Sequence, residues 1–235
     1  MGAEAIIRAN GLTRRLGKLT AVDRLDLQIA PGEIFALVGK NGMGKSSLLK
    51  TILSFLPAWN GVVRLEGRDV TRLAPFRKRA LGLAYAPQEQ ALFQDLSVRD
   101  NLRLGLSDDR GFEASLSDIS GWFPVLTARL SQRAGTLSGG EQKMLIVARG
   151  LIAKPRLLLL DEVTEGLQPS VVDRLAEVLA ATRRDRGTAM LVVEQHLSFV
   201  LGLADRFAVL KRGEVVDTGP VDADSAARID EHMRL

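Results

Sequence analysis

One octapeptide narrows the possible folds of this 235-residue chain more than any other feature: Gly39-Lys40-Asn41-Gly42-Met43-Gly44-Lys45-Ser46 fills every fixed position of the pattern G-x-x-x-x-G-K-[ST]. Ile34 to Val38 before it is a short apolar run that reads as a buried strand, and Ser46 to Leu56 after it has apolar residues at helical spacing. Strand, glycine loop and helix, in that order, turn backbone N–H groups around phosphate oxygens at the positive end of a helix. Lys45 then reaches the terminal phosphates, the Ser46 hydroxyl suits Mg²⁺, and Ser47 continues the same helix start.

The rest of the chain fits around that unit. Ala5 to Asn10 and Leu25 to Ile29 read as strands, with a turn at Pro31-Gly32, and predict a small antiparallel layer. Gly61 to Leu65 and Leu81 to Ala86 are further strands, the second ending at Pro87-Gln88. Helix-forming, polar segments follow up to about Gly150. Arg156 to Leu160 is an apolar strand, Ser170 to Arg184 an amphipathic helix and Ala189 to Val193 another buried strand. Strands alternating with helices predict an α/β fold with a mostly parallel sheet. The expected organisation is one domain over residues 1–235: a core and β layer from 1–87 and 151–235, and a helical subdomain over about 88–150.

Composition removes several function classes. There is no cysteine, hence no disulfide framework, thiolate metal site or cysteine nucleophile. Glu4 and Arg8 break the first ten residues, so no signal peptide is expected, and no apolar run approaches the roughly 18 residues of a membrane span. The net charge of +4 permits an acidic ligand, but basic residues are scattered among 28 carboxylates, which argues against a nucleic-acid partner. The basic clusters Arg77-Lys78-Arg79 and Arg183-Arg184 to Arg186 are expected on solvated helix faces.

A phosphate-bound Mg²⁺ also needs a carboxylate at the end of a neighbouring strand, and Asp161 stands directly after four leucines. Glu162 follows and is placed to take a proton from water attacking a γ-phosphate, a role worth about 10² to 10⁴-fold in rate. Leu137-Ser138-Gly139-Gly140-Glu141-Gln142 opens another helix, with Ser138 as N-cap and two glycines exposing backbone donors.

These motifs, with Gln88 after a strand and Glu194-Gln195-His196 after another, resemble in their order the ATP-binding-cassette ATPases over almost the whole chain. The resemblance implies a P-loop NTPase with a RecA-like parallel-sheet core, a small N-terminal β layer and a helical signature subdomain. It implies ATP and Mg²⁺ as ligands, bound by Gly39 to Ser47, with Ser46, Gln88 and Asp161 on the metal side and Glu162, Lys45 and Gln195 as catalytic residues. It further implies a head-to-tail dimer with a second ATPase subunit, identical or different, in which Ser138, Gly139, Gly140 and Glu141 face the partner's nucleotide.

A narrower likeness lies in Gln132-Arg133-Ala134-Gly135, in Thr164-Glu165-Gly166-Leu167-Gln168-Pro169-Ser170, and in Val193-Glu194-Gln195 with Leu203-Ala204-Asp205-Arg206. These resemble one of the two ATPases of branched-chain amino acid, amide and urea importers, the Glu-Gly-Leu-Gln-Pro-Ser stretch being nearest the urea-type branch. That implies permease subunits in the membrane, a periplasmic binding protein acting indirectly, and a peripheral position on the cytoplasmic face of a bacterial inner membrane. A groove for a partner's cytoplasmic helix is expected over Glu89 to Leu104, with Phe93 and Leu96 as its apolar contacts or as core.

Four positions depart from the family's pattern. Leu16 stands where an aromatic residue commonly stacks on adenine, Val163 where a proline follows the acidic pair, Gln168 in place of an aspartate, and Gln195 at the switch histidine, with His196 one residue later. Two other readings stay open at this point: a non-transport member of the superfamily, and a module that holds ATP without turnover.

Overall fold

The computed structural model describes residues 4–88 and 91–234. Six strands form the central sheet in the order β10-β9-β3-β8-β7-β6. They are β3 (Ile34–Val38), β6 (Leu83–Ala86), β7 (Leu157–Asp161), β8 (Ala189–Glu194), β9 (Arg206–Lys211) and β10 (Glu214–Pro220). All neighbours pair parallel except β10, which runs antiparallel to β9 along one edge.

Every residue of β3, β7 and β8 is buried, because both faces of the sheet are covered. Successive side chains point to opposite faces. Phe35, Leu37, Leu157, Leu159, Leu191 and Val193 therefore share one core with helix α1 (Lys45–Ile52) and the N-terminal layer. Leu158, Leu160, Met190 and Val192 share the other with helices α6 (Gly139–Leu151) and α7 (Pro169–Arg186).

The N-terminal layer is a separate four-stranded sheet in the order β2-β1-β4-β5, built from β1 (Ile7–Leu16), β2 (Leu19–Ile29), β4 (Asn60–Leu65) and β5 (Arg68–Asp69). Its first two strands run well beyond the expected segments. Breaks in register between Ala9 and Leu12 and again around Arg14 hide the alternation from a strict period of two. Helix α1 stops at Ile52, short of the expected Leu56, where Ser54 takes the left-handed conformation at φ 61°.

The helical segment between β6 and β7 contains α3 (Val98–Arg103), α4 (Phe112–Trp122), α5 (Pro124–Thr127) and α6. Ion pairs and backbone caps tie it to the core. Asp118 on α4 pairs with Lys154 and with Arg186 of α7, and Arg174 donates to the Trp122 carbonyl at 2.6 Å.

The clusters expected on solvated faces need correction. On α2 (Pro75–Ala80), Lys78 is fully buried, its ammonium capping the Ile52 carbonyl at the end of α1. Burial lowers its pKa to about 8, partly opposed by Asp69. Arg186 stacks on the Trp122 ring at 4.4 Å. After β8, α8 (Leu197–Leu203) and α9 (Ser225–Arg234) pack a small third cluster against β9. No helix among the described residues is long and apolar enough to cross a membrane.

Candidate functional site

The glycine loop leaves β3 at the carboxyl end of the parallel strands, where α/β sheets hold their ligands. Two of its glycines are required by close approach. A Cβ on Gly44, at φ 103°, would fall 2.0 Å from the Ala21 carbonyl, and one on Gly39 would fall 2.5 Å from that of Leu210. Strands β2 and β9 thus press directly on the loop. Met43 adds to that contact, its carbonyl accepting the Gly213 N–H at 3.1 Å.

Lys45 is buried at the start of α1 and curls back over the loop. Its Nζ lies 2.6 Å from the Gly39 carbonyl, 2.9 Å from that of Lys40 and 2.9 Å from Glu162 Oε1, and both side chains of this ion pair are almost fully buried. Glu162 reaches it because the chain turns sharply after β7. Its φ is 47°, unusual for a residue with a side chain, and its N–H is held by the Val193 carbonyl at 2.9 Å.

Ser46 Oγ donates to Asp161 Oδ1 at 3.0 Å, and the Tyr85 hydroxyl donates to Oδ2 at 2.9 Å. Burial pushes the Asp161 carboxyl up against the pull of these two donors. The Tyr85 phenol is pushed up as well, by burial and by the carboxylate it touches. Serine hydroxyl and carboxylate side by side are the hard oxygen donors a small divalent cation takes. No three acidic or histidine side chains among the described residues are grouped so as to hold a metal ion by themselves, so phosphate oxygens and water would have to complete such a coordination shell.

Gln88 comes to the same place, though beside other partners than the sequence implied. Its amide donates to Glu162 Oε2 at 2.9 Å and to Glu165 Oε2 at 2.7 Å rather than joining Ser46 and Asp161. Gln195 reaches the loop from the end of β8, its amide donating to Asn41 Oδ1 at 2.8 Å. His196 turns away to the surface, against Ser198. Beside these groups lies an open cleft of about 860 Å³, lined by Leu16, Leu19, the loop from Asn41 to Ser47, Gln88, Glu162 and Glu165.

Ser138, Gly139, Gly140 and Glu141 lie outside this cleft. They form a complete capping box on α6: Ser138 Oγ accepts the Glu141 N–H at 3.3 Å, and Glu141 Oε2 accepts the Ser138 N–H at 2.9 Å. The latter bond holds the Glu141 carboxyl below its ordinary range. Ser138 and Gly139 are exposed, with both Ser138 donors, its N–H and its hydroxyl, spent on Glu141 Oε2.

Of the departures, Val163 is fully buried in the core shared with helices α3 to α7. Gln168 is the N-cap of α7 and makes no side-chain cap, a place where the shorter aspartate can accept. Leu16 lines the cleft as an aliphatic surface.

Four further residues were not singled out from the sequence as site residues. Tyr85 holds Asp161, Glu165 accepts from Gln88, and Lys143 Nζ donates to the Gln88 carbonyl at 2.6 Å. Glu194 is buried, accepts the Thr164 N–H at 2.9 Å and is pushed up by desolvation. One signal was available, since Glu194 ends an apolar strand just as Asp161 does.

A second, mainly apolar groove of about 740 Å³ is walled by Phe55, Phe76, Tyr85, Phe93 and Leu104. Asn101 sets the Phe93 turn by accepting its N–H and donating to its carbonyl, both at 3.0 Å. Phe93 is 58% exposed in that wall; Leu96, 39% exposed, is neither core nor part of it. Glu89 and Gln90 lie outside the described residues.

Comparison with known proteins agrees with this geometry. The family model for the ABC transporter matches residues 22–165. The high-affinity branched-chain amino acid transport ATP-binding protein BraG of Pseudomonas aeruginosa is 38% identical over 207 residues, covering 86% of this chain and 88% of its own. A probable branched-chain amino acid transport ATP-binding protein, LivF, of Archaeoglobus fulgidus is 36% identical over 197 residues, covering 83% and 84%. Among solved structures, a nucleotide-free ATP-binding cassette superposes with TM-score 0.87 at 22% identity over 96% of this chain and 95% of that one. A cassette in its ADP conformation gives 0.87 at 23% identity over 97% and 95%. The chain belongs to the ABC transporter family, and the phosphate loop, acidic pair and capped glycine segment are carried on that family's ATP-binding cassette.

Proposed function

We propose that this chain is the ATP-hydrolysing subunit of an importer for branched-chain amino acids or for related small amides and urea. The observation that carries the reading is the convergence of Lys45, Ser46, Asp161, Glu162 and Gln195 at the carboxyl ends of three parallel strands, around a cleft large enough for a nucleoside triphosphate. The names of the BraG and LivF relatives support the solute class.

In this reading the loop amides and Lys45 bind the phosphates, which draws the ammonium from Glu162. The freed carboxylate accepts a proton as water attacks the γ-phosphorus and the bond to ADP breaks. Gln195, neutral, orients by hydrogen bonding where a histidine could carry charge. Ser46 and Asp161 would hold Mg²⁺, which neutralises phosphate charge when bound, and Gln88 would add a third oxygen on turning from Glu162 and Glu165.

The exposed, capped glycine turn at Ser138 to Glu141 supports a head-to-tail pair, homodimeric or heterodimeric, in which it completes the partner's site. The groove supports docking of a permease helix, with a periplasmic binding protein acting indirectly, and the residues 1–235 work as one cassette at the cytoplasmic face of the membrane.

ATP turnover and gel-filtration size with ATP and Mg²⁺ test the reading, for the native chain and Glu162→Gln. Slow native turnover, with an inactive, ATP-dependent dimer in the variant, is expected. A chain that neither binds nor hydrolyses ATP, even with its co-purified membrane subunits, would overturn it.

A further inference from the structure

Tyr85 is the single tyrosine of the chain, and it stands between two sites. Its hydroxyl donates to Oδ2 of the buried Asp161 while Ser46 donates to Oδ1, so each carboxylate oxygen has its own donor. A terminal carboxylate torsion is soft, and two donors on opposite oxygens define its plane. The other side of the same ring belongs to the groove wall. It packs against Phe55, with centroids 6.1 Å apart and planes 43° apart, three residues beyond the end of α1.

We propose that Tyr85 is a positioning residue that holds Asp161 by Oδ2, leaving Oδ1 beside Ser46 to serve the cation, and that it links the groove wall to this carboxylate. The inference rests on the reading of the cleft as an ATP and Mg²⁺ site. The link needs no movement of the backbone. A change in ring packing on the groove side alters the tilt of the phenol, and the hydroxyl at the far end of that lever is bonded to the carboxylate. Phe55 is more than half exposed in the groove, so an occupant there would press on the ring pair directly.

The test compares affinity for a fluorescent, non-hydrolysable ATP analogue with Mg²⁺ and with EDTA. In Tyr85→Phe, metal-free affinity stays within twofold of the native value, whereas the gain on adding Mg²⁺ falls at least fivefold. Phe55→Ala keeps the hydroxyl and lowers the gain at least twofold, and in the Tyr85→Phe background it does nothing further, the signature of a shared route. A structural role alone would weaken both affinities together. Because the chain has one tyrosine, 3-fluorotyrosine labelling yields one protein resonance. It moves when Mg²⁺ joins the analogue and stays put with the analogue in EDTA.

A Mg²⁺ gain preserved within twofold in Tyr85→Phe, or a resonance indifferent to Mg²⁺, would overturn the positioning role. Independent, multiplying effects of the two substitutions would overturn the link to the groove. A native chain that binds the analogue no better with Mg²⁺ would instead overturn the reading of the site, and this inference with it.

Discussion

Replacing Glu162 by glutamine should tighten the grip on ATP while loosening the protein. Lys45 and Glu162 face each other at 2.9 Å with both side chains almost fully buried. At an effective dielectric of about 20, the attraction across that distance is about 6 kcal/mol, most of it offset by the desolvation of two ions. What survives is a charge-assisted hydrogen bond of about 1.5–3 kcal/mol. A triphosphate entering the cleft must take Lys45 from that partner and lie beside the carboxylate it displaces. Glutamine has the same shape without the charge, and Lys45 keeps its bonds to the Gly39 and Lys40 carbonyls. The expected result is a Kd for ATP lowered by about ten- to a hundredfold, the equivalent of that lost competition. The ligand-free variant should be less stable by about 1.5–3 kcal/mol, since a buried ammonium has lost its counter-charge. Titration with a fluorescent ATP analogue in EDTA, which prevents turnover, reads the first quantity, and denaturant unfolding reads the second. A Kd within twofold of the native one, with unchanged stability, would refute the competition between Glu162 and phosphate for Lys45.

Gly44→Ala places a methyl 2.0 Å from the Ala21 carbonyl at φ 103°; it should cost at least about 2 kcal/mol in unfolding experiments and weaken ATP binding more than tenfold. Gly42→Ala, at φ 77° with nothing within 4 Å, should cost only the strain of about 1–2 kcal/mol. Lys78, whose pKa falls from 10.5 to about 8, binds its proton less tightly folded than unfolded. Between those pH values the unfolded chain therefore holds more protons, and stability relative to Lys78→Met should rise with pH by at most about 3 kcal/mol in urea titrations. A flat difference up to pH 10 would show that the ammonium is not penalised by burial. Phe76→Ser, at a ring 70% exposed in the groove, should leave stability within about 0.5 kcal/mol and ATP affinity unchanged, yet abolish co-purification with permease subunits.

Much of the site was legible because its motifs are contiguous. The glycine loop needs eight neighbouring residues, the capping box binds positions three apart, and Asp161 with Glu162 follows its own apolar strand. The parallel core was legible for a similar reason, as fully buried strands are continuous apolar runs. β9, β10 and α9 were missed, their short runs carrying no motif, and so was the full length of β1 and β2, whose irregular register breaks the alternation.

The sequence by itself determined which chemistry the chain carries: phosphate-binding amides, a lysine, a hydroxyl and two acids in fixed local order. Tertiary structure alone decided who faces whom. Lys45 meets Glu162 and Tyr85 meets Asp161 because β3, β7 and β6 stand where strand order puts them, far apart along the chain. It also decided that Lys78, in a run of three basic residues, would be buried beneath α1 while its neighbours stay in water. The physical reason is that local periodicity reports which side of an element is apolar. Which charged group ends within 3 Å of another depends on how the elements pack, and no window along the chain contains that information.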